Sequence, residues 1–302
     1  RTDFVGGHAH LSGLIAYPDS ESRGTILLIP GFTGSKEDFI ALIPYLRDLG
    51  YTVASYDQRG QFESPGPDAT DGYAMADFVA DALAVARSLV TETEHPLHLL
   101  GHSFGGLVAR ATAVRQLGEQ MAAASEPLFA SLTLLASGPA AVPGDLQIVA
   151  AQLVSLLPHT SLHDIWEQKE AADRANGWRP PNAEVHEFLR HRFTSNNPHA
   201  LSAKAEILIE IDDAVDVLAD LAATAGLPTL VAFGENDDRW PPDEQEEMAY
   251  RLGARRVRWP HAARSPSAEQ PEMCSAGLGG FFADVASTTG RWIEFPNGKR
   301  GY

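Results

Sequence analysis

The sequence predicts an α/β protein: a mostly parallel sheet flanked by helices, with a helical insertion between two of its strands. Three observations carry this reading. Short apolar runs alternate with longer amphipathic patterns along most of the chain. One of those runs leads straight into Gly101-His102-Ser103-Phe104-Gly105-Gly106, and a helical pattern follows. Between Ser137 and Gly226 the alternation stops, and only helical patterns are found.

Residues Phe4 to Tyr17 predict one or two antiparallel edge strands. The buried strands are predicted at Thr25–Ile29, Thr52–Tyr56, Leu97–Leu100, Leu132–Ala136, Thr229–Phe233 and Arg256–Trp259. Each is short and apolar, and several are closed by Gly or Pro, as strands covered on both faces are. Pro44 and Gly50 frame a short helix over Tyr45–Leu49. Met75, Phe78, Val79, Ala82, Val85, Ala86 and Leu89 share one helical face, and Leu107, Val108, Ala111 and Val114 share another. The stretch without strands gives helices around Leu146–Leu156, Leu162–Ala175, Ala183–Phe193 and Leu201–Leu221. A last helix is expected over Ser267–Val285, and Arg291–Tyr302 reads as a polar tail. The expected organisation is therefore a core over 1–136, a helical cap over 137–226, the rest of the core over 227–288 and a tail over 289–302.

Composition narrows the function. With 44% hydrophobic residues, the 302-residue chain can bury a large core. The 23 basic against 40 acidic residues give a net charge of −17, which argues against nucleic acid or an anionic membrane as partner. One cysteine, Cys274, rules out an intramolecular disulfide and a cysteine-rich zinc site. No apolar run has transmembrane length and no basic start precedes an apolar stretch, so a cytoplasmic protein is expected. The oligomeric state is not legible.

The Gly-x-Ser-x-Gly turn has a steric logic. A turn this tight strains the serine backbone and needs neighbours without side chains, and it lifts the Ser103 hydroxyl to the N-terminus of a helix. Here the chain resembles the α/β-hydrolase superfamily, over about residues 24–140 and 226–285; the cap matches no family. The resemblance implies a serine nucleophile at Ser103. Ile29-Pro30-Gly31-Phe32-Thr33-Gly34 resembles the oxyanion loop, which implies that the Phe32 and Phe104 amides hold an oxyanion. Asp57-Gln58-Arg59-Gly60 resembles the segment after the next strand, although Gln61 and Phe62 stand where His-Gly is usual. Gly234-Glu235-Asn236-Asp237-Asp238-Arg239-Trp240-Pro241 looks like the acid loop, which selects Asp237, with Asp238 as the near alternative.

The base departs from the pattern. The family order is Ser, acid, His, and the one histidine after Asp237 is His261. In Trp259-Pro260-His261-Ala262-Ala263-Arg264-Ser265-Pro266, however, the usual histidine place before Ser-Pro holds Arg264. A guanidinium keeps its proton at ordinary pH, so Arg264 cannot take one from Ser103; an ion pair with Asp237 is its expected contact. Three readings stay open: His261 reaches the site through a shifted loop, one of the cap histidines (His159, His163, His186, His191, His199) substitutes, or the hydrolytic set is incomplete. The expected activity is that of a carboxylesterase, thioesterase or lactonase on a small substrate, through an acyl-enzyme and with no metal or organic cofactor. The alternative is an impaired relative that binds a small apolar molecule. Leu153, Leu156, Leu157 and Trp166 are expected to form the core of the cap.

Overall fold

The computed structural model describes residues 1–7, 10–92 and 95–289. The tail expected over Arg291–Tyr302 lies outside the described residues. The described strands are β1 (Thr2–Val5), β2 (His10–Ala16), β3 (Thr25–Ile29), β4 (Thr52–Tyr56), β5 (Leu97–His102), β6 (Ser131–Leu135), β7 (Thr229–Gly234) and β8 (Arg255–Trp259). They form one sheet in the order β1-β2-β4-β3-β5-β6-β7-β8. The β1–β2 and β2–β4 pairs are antiparallel and the remaining pairs are parallel.

Two cores flank the sheet, and the period of two along each strand divides side chains between them. In β3, Leu27 and Ile29 enter one core while Ile26 and Leu28 enter the other; in β7, Val231 and Phe233 oppose Leu230 and Ala232. Burial on both faces explains why these strands read as unbroken apolar runs. The first core is covered by α2 (Met75–Glu92) and α3 (Phe104–Ala123), the second by α1 (Ile43–Asp48) and the terminal α11 (Pro271–Thr289). The last helix is shorter at its start than expected. Residues Pro266–Glu269 form a separate turn, α10, because Pro271 disfavours helical backbone at Gln270, which takes φ −142 and ψ 60.

Between β6 and β7 lie α4 (Gly144–Leu156), α5 (Leu162–Ala175), α6 (Ala183–Thr194), α7 (Pro198–Glu210) and α8 (Val215–Ala225). The pattern expected as one helix over Leu201–Leu221 is thus two, broken where Ile211 turns extended and Asp213 accepts the Val215 N–H at 2.8 Å. Val215, Leu218 and Ala222 of α8 join the main core with α3 and with α9 (Pro242–Arg251). Leu162, Ile165, Trp166, Phe193 and Leu201 form a cluster of their own, against which Leu153, Leu156, Leu157 and Phe32 pack. The inserted helices therefore close on the loop after β3. No described helix is long and apolar enough to cross a membrane.

One residue at this junction is out of character. Lys204 of α7 is buried, its Nζ has no hydrogen-bond partner among the described residues, and it lies 5.4 Å from the Phe78 ring and 5.7 Å from the Phe104 ring. Burial lowers its pKa to about 7, and the charge of Asp57 offsets only part of that. Between pH 7 and 10.5 the unfolded chain thus binds more protons than the folded one, so Lys204 destabilises the fold most at and below neutral pH and the penalty lifts as pH rises. Lys204→Met is expected to raise the unfolding midpoint at pH 7 and to remove the gain in stability between pH 7 and 10. Denaturant titrations across that range check it; an unchanged pH dependence in the variant contradicts the assignment.

Candidate active site

Ser103 stands between β5 and α3 with φ 55 and ψ −122, a conformation rarely taken by a residue with a side chain. The surrounding glycines permit it. A Cβ on Gly101 would meet Gly105 O at 2.1 Å, one on Gly105 would meet Ile29 O at 2.2 Å, and one on Gly106 would meet the Ser137 Cβ at 2.4 Å. Two backbone bonds fix the turn: Ser103 N–H to Leu135 O at 2.9 Å and Gly106 N–H to Ser103 O at 2.8 Å. The Ser103 hydroxyl is half-buried and makes no hydrogen bond among the described residues.

The loop after β3 is set by two buried amides. Gln58 Nε2 donates to Pro30 O at 2.9 Å, and Gln61 Nε2 donates to Gly31 O at 2.8 Å and to Phe32 O at 3.3 Å. Three successive carbonyls are thereby held, while the N–H groups of Phe32 and Phe104 have no acceptor among the described residues. Lys36 anchors the same loop: its backbone N–H reaches Asp57 Oδ1 and its Nζ reaches Asp57 Oδ2, both at 2.7 Å. Phe62, standing where the family pattern has glycine, keeps a positive φ of 46. Its ring is wedged between Phe188 at 5.9 Å and His191 at 5.6 Å, both on α6, with the Lys36 Nζ 5.0 Å away. The contacts that hold this strain also tie the loop to the inserted helices.

Of the two aspartates, Asp237 is buried and Asp238 is exposed. Asp237 Oδ1 accepts from Arg239 N–H at 2.9 Å and Trp240 N–H at 3.4 Å, and its Oδ2 accepts from Gln245 Nε2 at 2.9 Å. Burial raises its pKa above the ordinary value, against these donors and the charge of nearby His102. The Trp240 ring presses on the loop after β6, where a Cβ on Gly138 would lie 1.9 Å from it.

His261 is exposed on the turn after β8 at φ 61, and its contact is backbone N–H to Glu235 Oε2 at 3.4 Å. The following segment is pinned to the acid loop by Glu235 N–H to Trp259 O at 2.9 Å and Asn236 N–H to Ala262 O at 2.8 Å. That pinning holds the turn that carries the exposed His261. Three histidines of the inserted helices have other neighbours: His186 lies 2.8 Å from Glu170, His163 3.3 Å from Glu167, and His191 sits against Phe62. The expected Arg264–Asp237 pair is also absent. The Arg264 guanidinium lies 3.7 Å from Asp238 instead, because Asp237 is buried and its oxygens are already taken by Gln245 and two backbone amides.

Sequence reasoning missed His102, which it quoted inside the turn without giving it work. The ring is buried, with Nε2 2.8 Å from Arg264 O and edge-on to Phe39 at 6.4 Å. A carbonyl only accepts, so Nε2 carries the proton and, in the neutral ring, the lone pair is on Nδ1. That Nδ1 has no partner among the described residues, and a Cβ on Gly31 would lie 3.4 Å from it and 3.2 Å from the Ser103 Cβ. The residue before the serine thus clamps the very segment that the family uses for its base.

Sequence comparison decides the family. The profile of the serine aminopeptidase S33 family of α/β-hydrolases matches residues 20–262. The chain belongs to that family. This S33-type α/β-hydrolase has no sequence match among curated proteins. Among solved structures, it superposes on a malate-bound thermophilic esterase from Thermogutta terrifontis with TM-score 0.73 and 23% identity, covering 95% of this chain and 99% of the esterase. An enol-lactonase from Burkholderia xenovorans gives TM-score 0.72 at 17% identity, covering 93% of this chain and all 100% of the lactonase. A carboxylesterase from Nitrososphaera gargenis gives 0.71 at 17%, with coverage of 94% and 99%. At these identities the likeness is one of fold, and the esterase and lactonase activities are those of the neighbours.

Gln61→Leu removes the donor to Gly31 O and Phe32 O and is expected to cost about 1–3 kcal/mol of stability. The freed loop should also slow covalent labelling of Ser103 by an activated phosphonate at temperatures where the variant is folded. Denaturant melts and intact-mass labelling rates check both; an unchanged labelling rate removes Gln61 from the positioning of the loop.

Proposed function

We propose that this S33-type α/β-hydrolase takes a small ester, thioester or lactone at Ser103 and forms an acyl-enzyme that it releases slowly, because no imidazole serves the serine. The carrying observation is the pairing of an intact turn, φ 55 at Ser103, with an arginine side chain at the base position that leans away onto Asp238 at 3.7 Å. In this reading the Ser103 oxygen attacks the carbonyl carbon and the Phe32 and Phe104 amides stabilise the oxyanion. As the bond to the leaving group breaks, the serine proton passes through water to the departing oxygen or sulfur. Water then attacks the acyl carbon, and the proton it loses returns to Ser103. Positioned general-base catalysis contributes typically about 10²–10⁴-fold to such steps, so its lack predicts weak turnover rather than none. The helices α4–α7 act as the cap over this site, with Trp166 and its neighbours against Phe32 as the apolar underside.

A second reading is favoured by one observation, the bare Nδ1 of His102 beside Ser103. In that reading His102 is the base.

Turnover of an activated ester separates the two. Under the first reading the wild type is slow and Arg264→His raises the steady-state rate by about 10²-fold or more. Under the second, the wild type is fast, and His102→Gln, which keeps a donor for Arg264 O, abolishes turnover. A fast wild type that His261→Ala silences contradicts both.

A further inference from the structure

On the loops after β7 and β8 lies a pair of arginines with too little negative charge to satisfy them. Arg239 belongs to the acid loop and Arg264 to the segment after β8. Their one ion-pair partner among the described residues is the exposed Asp238, at 3.5 Å from Arg239 Nε and 3.7 Å from Arg264. Both distances exceed those of a good N–H···O bond, and neither guanidinium donates a hydrogen bond to any described residue. Two forks of five donors each are therefore left open.

The other carboxylates nearby are engaged elsewhere. Asp237 is filled by Gln245 and the backbone amides of Arg239 and Trp240. Asp173 of α5 acts on Arg239 from a distance but is bound to Lys169. The two guanidiniums also repel: after burial, the charge of Arg264 is the next cause that lowers the pKa of Arg239. A chain of net charge −17 has carboxylates to spare, yet this pair keeps only one.

The place of the pair matters as much as its charge. Arg264 is fixed at the turn by its carbonyl on His102, the neighbour of Ser103. Arg239 is fixed through its own amide on Asp237 and feels Asp173 from the inserted helices. Both side chains are partly exposed, at 39% and 45%. They belong to the loops that follow the carboxyl ends of β7 and β8, and that end is where α/β sheets take their ligands.

We infer that Arg239 and Arg264 form a carboxylate-binding site at the mouth of the Ser103 site, so that the substrate is an ester, thioester or lactone bearing a free carboxylate. The inference rests on the proposed acyl-transfer reading for its word substrate. A planar guanidinium matches a carboxylate bidentately, and two of them facing one gap suit one carboxylate better than a point charge would. The substrate carboxylate replaces or joins Asp238 between the forks and brings its ester carbonyl toward Ser103. On this account the arginine at the base position has a function of its own: it exchanges proton transfer for recognition.

The test is calorimetric titration of the Ser103→Ala variant with monomethyl succinate and with dimethyl succinate, which differ in one negative charge. The half-ester is expected to bind at least about 10-fold more tightly, with the preference shrinking as salt rises. Arg239→Gln and Arg264→Gln, each in the Ser103→Ala background, should each reduce that preference several-fold. Equal affinities, no binding of either probe, or a preference that survives both substitutions overturns the site. The two readings fail separately. A wild type acylated equally by neutral and anionic activated esters keeps the acyl-transfer reading and loses the carboxylate site. A chain that prefers the half-ester but is never acylated keeps the site and loses the acyl-transfer reading.

Discussion

Ser103 holds a positive φ of 55 only because three glycines let backbone stand where side chains would collide, and everything at the site is organised around that contact. The turn fits when Gly105 lies against Ile29 O and Gly106 lies against Ser137. Those two contacts set β3 beside β5 and bring the exit from β6 under α3. A strained residue of this kind costs about 1–3 kcal/mol and persists only where its surroundings over-determine it. Here the surroundings are the two sheet neighbours of β5, which explains why the turn, the loop after β3 and the path into the inserted helices meet at one end of the sheet.

The same end of the sheet fixes what the site lacks. Segment 259–264 is stitched to the acid loop through Trp259 O and Ala262 O and to the turn through Arg264 O on His102. Three residues of extended chain span up to ~10 Å, far more than a proton transfer tolerates. With the stitching in place, His261 cannot trade positions with Arg264 without breaking these three bonds. In the proposed reading the chemistry follows from register, because the side chain at the position expected for the base is a permanent cation. Gln245 and two amides give Asp237 the partners that an imidazole would otherwise supply in part, so the buried carboxylate does not depend on a missing residue.

Much of this was legible beforehand, for identifiable reasons. The buried strands announce themselves because both faces are covered, and the turn because its glycines are sterically obligatory. Resemblance to the family's acid loop selected Asp237 over Asp238 as the acid, and Asp237 is the buried one of the two. The break between α7 and α8 was not legible, because Ile211 continues the apolar period while the backbone leaves it. Nor was the division of labour among polar side chains. Gln61 looks like a deviation in the sequence and is a scaffold for the loop after β3 in the structure. His102 and Lys204 are ordinary residues until burial leaves the Nδ1 of one and the Nζ of the other without a partner among the described residues. The turn of Arg264 toward Asp238 depends on which carboxylate is already occupied, and no local pattern encodes that.

The central claim is that this site has a nucleophile and an oxyanion loop but no base to clear the acyl group. Intact-mass analysis of the wild-type chain after brief exposure to p-nitrophenyl acetate tests it most directly. The account predicts a single added acetyl group, located on Ser103 by peptide mapping, that persists long after free ester is removed. Rapid release of p-nitrophenol over many turnovers, with no acetylated chain at any time, would contradict it.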